Sequence, residues 1–214
     1  MPKMIMVLLV SCISVAQSAT AESTKTEPIP DEIWAKMQGH SWHSDLRCPG
    51  RNELVLVTVP YIDFSGQERT GYLIVSKALS NEVVDIFSEL FEAKFRIEKM
   101  RLMDEYGGDD NASMNDNNTT AFNCRKKTSG RNLSAHSFGI AIDINPAQNP
   151  YVSKGQILPE SSKFFAEPGN RTADRPGVIV KGGVVTAAFS RQGWKWGGGW
   201  TTLKDYQHFS KNGE

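Results

Sequence analysis

The chain has 214 residues, and 24 Lys and Arg balance 24 Asp and Glu, so its formal net charge is zero. That length suits one domain around one good core. The balance excludes the basic excess of a nucleic-acid or polyanion binder, so no nucleic-acid partner is expected.

The N-terminus reads as a targeting segment. Lys3 supplies a positive start, residues 4–15 are apolar apart from Ser11, Cys12 and Ser14, and Ala19-Thr-Ala21 is a cleavage site. Residues 1–21 are therefore expected to be a signal peptide, with Glu22 the first mature residue. The apolar stretch is shorter than the roughly 20 residues that span a bilayer, and no later segment qualifies as a transmembrane span. A second reading is open: Leu9-Val-Ser-Cys12 resembles a lipobox, in which Cys12 would carry lipid. Both readings place the protein outside the cytoplasm, periplasmic or secreted. Cys48 and Cys124 then remain, and an oxidising compartment favours a disulfide between them over two buried free thiols.

Residues 22–40 read as a flexible polar leader followed by a short helix that opens at Pro30 and runs to residues 36–38, with Ile33, Trp34 and Met37 on one side. The remainder, 41–214, reads as one domain. Residues 53–61 and 70–76 alternate and are β-branched, which predicts a hairpin around the turn at residues 64–68. Val83, Val84, Phe87, Leu90 and Phe91 recur at helical spacing and predict a helix over 81–95. Residues 97–103 and 120–125 read as strands. Residues 107–118, rich in Gly, Asp and Asn, read as a surface loop that can line a cleft, without the acid spacing and central Gly of a calcium loop. Residues 138–145 read as a strand and 146–170 as a long irregular stretch. A hairpin-like turn is expected over 178–185, a short helix over 186–192, and an aromatic, glycine-rich tail over 194–209. The mixture gives an α+β fold with a small, mostly antiparallel sheet and flanking helices.

Two segments carry the chemistry. Ser134-Ala-His136-Ser-Phe-Gly139-Ile-Ala141-Ile-Asp143 offers an imidazole and a carboxylate, and Asp205-Tyr-Gln-His208 offers another of each. Three of these side chains make a three-ligand zinc site, and the fourth is a spare acid, the composition of a hydrolytic centre rather than a four-ligand structural one. Strand periodicity puts Ile140, Ile142 and Ile144 on one face and Ala141, Asp143 and Asn145 on the other. His136 lies seven positions before Asp143, so an uninterrupted strand would send the two to opposite faces. They share a metal only if the chain bends, and Gly139 is the expected bend. Asp205 and His208, three apart, can face one cavity on a turn or short helix. Asp205 then serves as general base or, alternatively, orients a ligand from behind. Ser134 bonds near the site or ends the preceding loop. His40 and His43 are expected to be structural or surface residues.

These segments resemble the zinc D-Ala-D-Ala carboxypeptidase family, which includes vancomycin-resistance D,D-peptidases and L-alanyl-D-glutamate endopeptidases. The likeness runs from Trp42 to Phe209 and includes residues 117–125, Asp143-Ile-Asn-Pro-Ala-Gln-Asn-Pro-Tyr151 and Trp194-Lys-Trp-Gly-Gly. The resemblance implies a fold like that of the hedgehog signalling domain, with a zinc cleft. It implies one Zn2+ per chain held by His136, Asp143 and His208, with Asp205 as the general base and Ser134 beside the substrate. It also implies an arginine for the polarised carbonyl or a substrate carboxylate, with Arg125 preferred to Arg101. The implied activity is hydrolysis of peptidoglycan stem peptides by a metal-activated water, in an exported monomer. The alternative is a non-catalytic zinc module of the same fold that recognises cell wall or a protein. One position departs from the pattern: relatives carry Asp in a Gly-Gly-Asp-Trp segment where this chain has Gly198-Gly199-Trp200.

Overall fold

The computed structural model describes residues 23–127 and 130–213. The signal peptide expected over 1–21, and Cys12 within it, lie outside the described residues. In chain order the elements are β1 (Lys25–Pro28), α1 (Asp31–Met37), β2 (Leu54–Ile62), β3 (Glu68–Ser76), α2 (Ser80–Glu92), β4 (Lys99–Met100), α3 (Asp110–Asn115), β5 (Asn118–Thr119), β6 (Ala141–Asp143), β7 (Tyr151–Ser153), β8 (Gln156–Leu158), α4 (Lys163–Ala166), α5 (Val184–Arg191), β9 (Lys195–Trp196), β10 (Lys204–Asp205) and β11 (His208–Ser210), with short 3-10 turns between them. The architecture is α+β with small, mainly antiparallel sheets. No helix among the described residues is long and apolar enough to cross a membrane.

The β2–β3 hairpin is the largest unit, paired from Leu54 with Ser76 to Ile62 with Glu68. Strand β2 is buried on both faces, which is why its sequence is almost continuously apolar. Val55, Val57, Val59, Leu73 and Val75 face α2, where Val83, Ile86, Phe87 and Leu90 meet them. Leu54, Leu56 and Ile74 face the other way, onto Ile29, Met37 and Phe122. Each fully buried side chain of this size contributes about 1.5–3 kcal/mol, so this layer is the stable base of the molecule. Helix α2 ends three residues before the expected boundary. Lys94 takes a left-handed φ of 54°, Lys94 N–H donates to Phe91 O, and Phe95 N–H donates to Leu90 O, a Schellman closure without glycine.

The leader is not free. Residues 25–28 form β1, antiparallel to β2 with Lys25 opposite Thr58 and Pro28 opposite Val55. The open edge of β2 needs backbone partners, and Ile29, 1% exposed, pins the segment to the second apolar cluster. Polar composition hid this, because an edge strand buries little of its own side-chain surface.

The remaining sheets are short and frame the cleft. Strands β6, β11 and β9 form one antiparallel sheet in the order β6-β11-β9, and β10-β7-β8 form another. Strands β4 and β5 pair in parallel. Several expectations are corrected here. The strand expected over 97–103 pairs only at Lys99–Met100. Residues 120–125 are extended but form only isolated bridges, Thr120 with Asp143 and, just beyond, Lys126 with Leu133. The loop expected over 107–118 contains α3, capped by Asp109, whose carboxylate accepts from Asn111 N and Ala112 N. The stretch 146–170 contains the β7–β8 hairpin and α4. No strand forms over 178–185; α5 begins at Val184, two residues before the expected start.

Candidate active site

Ser134 and Gly139 close the two ends of a single 3-10 turn, Ala135–Phe138, that carries His136. Ser134 Oγ accepts from His136 N at 3.3 Å. Gly139 sits at the other end with φ 65°. A Cβ there would lie 2.5 Å from Ser76 N and 2.9 Å from Val75 C, and Ser76 N–H donates to Gly139 O at 2.9 Å. Both the left-handed backbone and the close approach to β3 therefore call for glycine. The bend expected at Gly139 is present, and it returns His136 to the face of β6 that carries Asp143.

Sheet register brings in the third side chain. Asp143 and His208 are directly opposite one another on β6 and β11, and residues paired this way present their side chains to the same face. On its other edge Asp143 exchanges two backbone hydrogen bonds with Thr120. His136 Nε2 lies 3.2 Å from Asp143 Oδ2 and 3.2 Å from His208 Nδ1, and His208 Nδ1 lies 2.9 Å from Asp143 Oδ1. His136 Nδ1 is 2.5 Å from Ala121 O. With its proton committed to that carbonyl, Nδ1 leaves Nε2 to present a lone pair to the cluster. Two imidazole nitrogens and a carboxylate, each within 4.8 Å of the others, are a donor set that fits one divalent cation such as zinc.

Asp205 stands beside this cluster. It ends β10, opposite Tyr151 of β7, while His208 begins β11, so the two reach the cleft from separate short strands joined by a bend rather than from a helix. Asp205 Oδ1 is buried and has no hydrogen-bond partner among the described residues. Burial pushes its carboxyl up to about 6; His208 opposes that shift and the Asp143 charge adds to it. Asp143 goes the other way. Burial raises its pKa, but His136 and His208 outweigh burial and hold it well below the usual carboxylate range. Adjacent carboxylates pushed apart in this way are suited to different tasks, one as a permanent anion and one as a proton carrier.

The cleft has a volume of about 560 Å³, and its lining includes Arg125, Ser134, Tyr151, Trp200 and Gln207 besides the four central residues. Arg125 is ion-paired with Asp110 of α3. Arg101 is not among the residues that line the cleft; it is half exposed and pairs with Glu105 at 3.5 Å. Cys48 and Cys124 are joined by a disulfide, with Cα atoms 6.0 Å apart. Cys124 therefore ties down the segment that supplies Ala121 O and Arg125. The stretch 107–118 does line the cleft, as its composition suggested, but sequence reasoning read it as a loop and missed helix α3 within it. It also missed Arg171, whose guanidinium lies 3.7 Å over the Tyr206 ring and braces the turn between Asp205 and His208.

Residues 127–211 match the model of the D-alanyl-D-alanine carboxypeptidase family. The chain thus resembles this peptidase family over the segment that carries Ser134, His136, Asp143, Asp205 and His208. No curated protein and no solved structure matches the chain.

Proposed function

We propose that this protein is an exported, zinc-dependent peptidase that hydrolyses peptidoglycan stem peptides at a D-Ala-D-Ala or L-Ala-D-Glu bond. The family match supports a peptidase acting on peptidoglycan. The observation that carries the finer reading is the unpartnered, buried carboxylate oxygen of Asp205 next to three converging donor atoms. His136, Asp143 and His208 would hold the metal. Zinc there would supply Lewis acidity, drawing the pKa of a water toward ~7 and polarising the scissile carbonyl. Asp205 takes the proton of the attacking water and returns it to the leaving amine, a task that fits a carboxylate raised toward neutrality. Arg125, oriented by Asp110, meets a carbonyl or carboxylate oxygen of the substrate. The Ser134 oxygen already accepts from His136 N, which leaves its hydroxyl proton for a substrate oxygen. Export follows from the N-terminal segment, by cleavage after Ala21 or lipidation at Cys12.

The test is a digest of soluble muropeptides with and without a chelator, with products read by mass spectrometry. Loss of one terminal alanine identifies a carboxypeptidase, and release of a longer stem peptide identifies an endopeptidase. Zinc-loaded protein that binds cell wall but cleaves no muropeptide would establish the non-catalytic alternative instead.

A further inference from the structure

Gln207 lies between Asp205 and His208 and takes no part in the metal cluster. Its carbonyl accepts from Ile144 N at 3.1 Å, which fixes its backbone beside β6. The residue is 3% exposed, yet it belongs to the wall of the cleft. Its Nε2 donates to Met114 Sδ at 3.6 Å, and its side chain also hydrogen-bonds the Asp205 carboxyl. A thioether sulfur and a carboxylate both accept, so together they turn the amide nitrogen, and not its oxygen, toward themselves. Oε1 is left buried with no hydrogen-bond partner among the described residues. A buried acceptor without a donor is destabilising relative to an apolar group of the same shape, and native folds keep few of them.

We propose that Gln207 is a substrate-recognition residue whose Oε1 accepts an N–H from the peptide bound in the cleft. The inference rests on the peptidase reading above. The missing partner has to be a donor, so a main-chain amide of the substrate qualifies and a carboxylate or carbonyl does not. Oxygens of the substrate are served by the cationic side of the cleft, Arg125 and Lys127. Gln207 serves a nitrogen, and it favours a peptide amide over an ester at the position it contacts.

Gln207→Met keeps the length and approximate shape of the side chain and removes the amide. Three measurements on full-length protein decide: the thermal midpoint, zinc affinity by chelator competition, and initial rates on soluble muropeptides released by a muramidase. The expected result is a midpoint within about 4 °C of the parent's, because losing the nitrogen's bonds to Met114 and Asp205 is offset by removing a buried oxygen that has no donor. Zinc affinity is expected to hold, while kcat/KM falls roughly tenfold, mostly through KM. Parental kinetics in the variant would overturn the proposal, and so would a loss confined to kcat, which would assign the amide to holding Asp205. So would a midpoint lowered by more than about 4 °C, which would mark the amide as structural. If the parent cleaves no muropeptide, the peptidase reading fails. The proposal for Gln207 then falls with it, whereas cleavage by the parent with an unchanged KM in the variant overturns the Gln207 proposal alone.

Discussion

The layer around Phe87 is apolar, whereas the loops around Arg171 are joined by polar side chains. In the first region β2, β3 and α2 bury Val, Ile, Leu and Phe against one another. In the second, Arg171 donates to the carbonyls of Gln148, Phe165 and Ile179 and to Asn149 Oδ1, while its guanidinium lies over the Tyr206 ring. Asn145 and Asn149 do the same work nearby: Asn145 Nδ2 reaches Arg96 O and Gly177 O, and Asn149 Nδ2 reaches Ile144 O and Gly177 O. The difference follows from what each region has to do. A cleft needs irregular backbone, irregular backbone leaves carbonyls without ladder partners, and buried side-chain donors satisfy them.

The largest expected effects test that contrast directly. Phe87→Ala should cost about 3–5 kcal/mol through lost burial and a cavity, and it should lower protection across the whole layer. Arg171→Ala should cost roughly 3 kcal/mol by stranding several buried carbonyls, a loss concentrated in residues 145–180. Native-state hydrogen exchange separates the two. If Arg171→Ala instead exposed β2 and β3 equally, the two regions would be one cooperative unit and the contrast would fall.

The disulfide joins the regions and should have the next largest effect. Cys48 packs beside the second apolar cluster, and Cys124 belongs to the segment whose Ala121 carbonyl orients His136. Replacing both cysteines with alanine should cost about 2–4 kcal/mol. Zinc affinity should weaken as well, because Asn123 N–H to His136 O and the Thr120–Asp143 bonds depend on that segment staying in place. Chelator competition on the double variant checks this. Parental affinity would mean that the backbone bonds alone hold the cluster.

Asp205→Asn sharpens the comparison from inside the cleft. In metal-free protein the folded carboxyl titrates near 6, above its ordinary 3.8. The folded state therefore binds the proton more tightly than the unfolded chain, and stability falls as pH rises from about 4 through about 6. Above that window the neutral amide should make metal-free protein more stable by roughly 2 kcal/mol, a gain absent near pH 4. Urea melts at the two pH values test it. Muropeptide cleavage should drop by about 10²–10⁴-fold with the metal retained.

How legible each region is in the sequence follows from the same physics. The hairpin and α2 announce themselves because burial imposes a period of 2 or 3.6 on apolar residues. The bend at Gly139 was legible from parity: His136 and Asp143 can meet no other way. The β1 pairing, α3 and the β7–β8 hairpin were not legible, since each is short and takes its stability from neighbours already in place. Arg171 gave no signal, and Asn145 and Asn149 stood out only inside the motif after Asp143, with nothing to show that their amides hold the loops together. One polar side chain in a loop has no period, and its partners are backbone atoms more than 20 residues distant in several cases.

The smallest expected effect concerns the one departure from the family pattern. Gly197, Gly198 and Gly199 form a single 3-10 turn, but they differ in what surrounds them. A Cβ on Gly197 would lie 2.7 Å from Asp205 O, and one on Gly198 would lie 2.3 Å from the Trp196 ring. A Cβ on Gly199 would meet nothing within 4 Å. Gly197 thus lets the turn approach the strand that carries Asp205, Gly198 makes room for the Trp196 ring, and Gly199 is free to vary. Gly199→Asp should change stability by no more than about 0.5 kcal/mol and leave zinc affinity as it is. Gly197→Ala pushes on the Asp205 backbone, and a displacement of that kind lowers turnover without touching substrate. A midpoint for Gly199→Asp lowered by more than about 2 °C would show that the turn requires glycine throughout. A held midpoint with an altered kcat/KM would instead show that this position, beside the cleft-lining Trp200, influences turnover without supporting the fold.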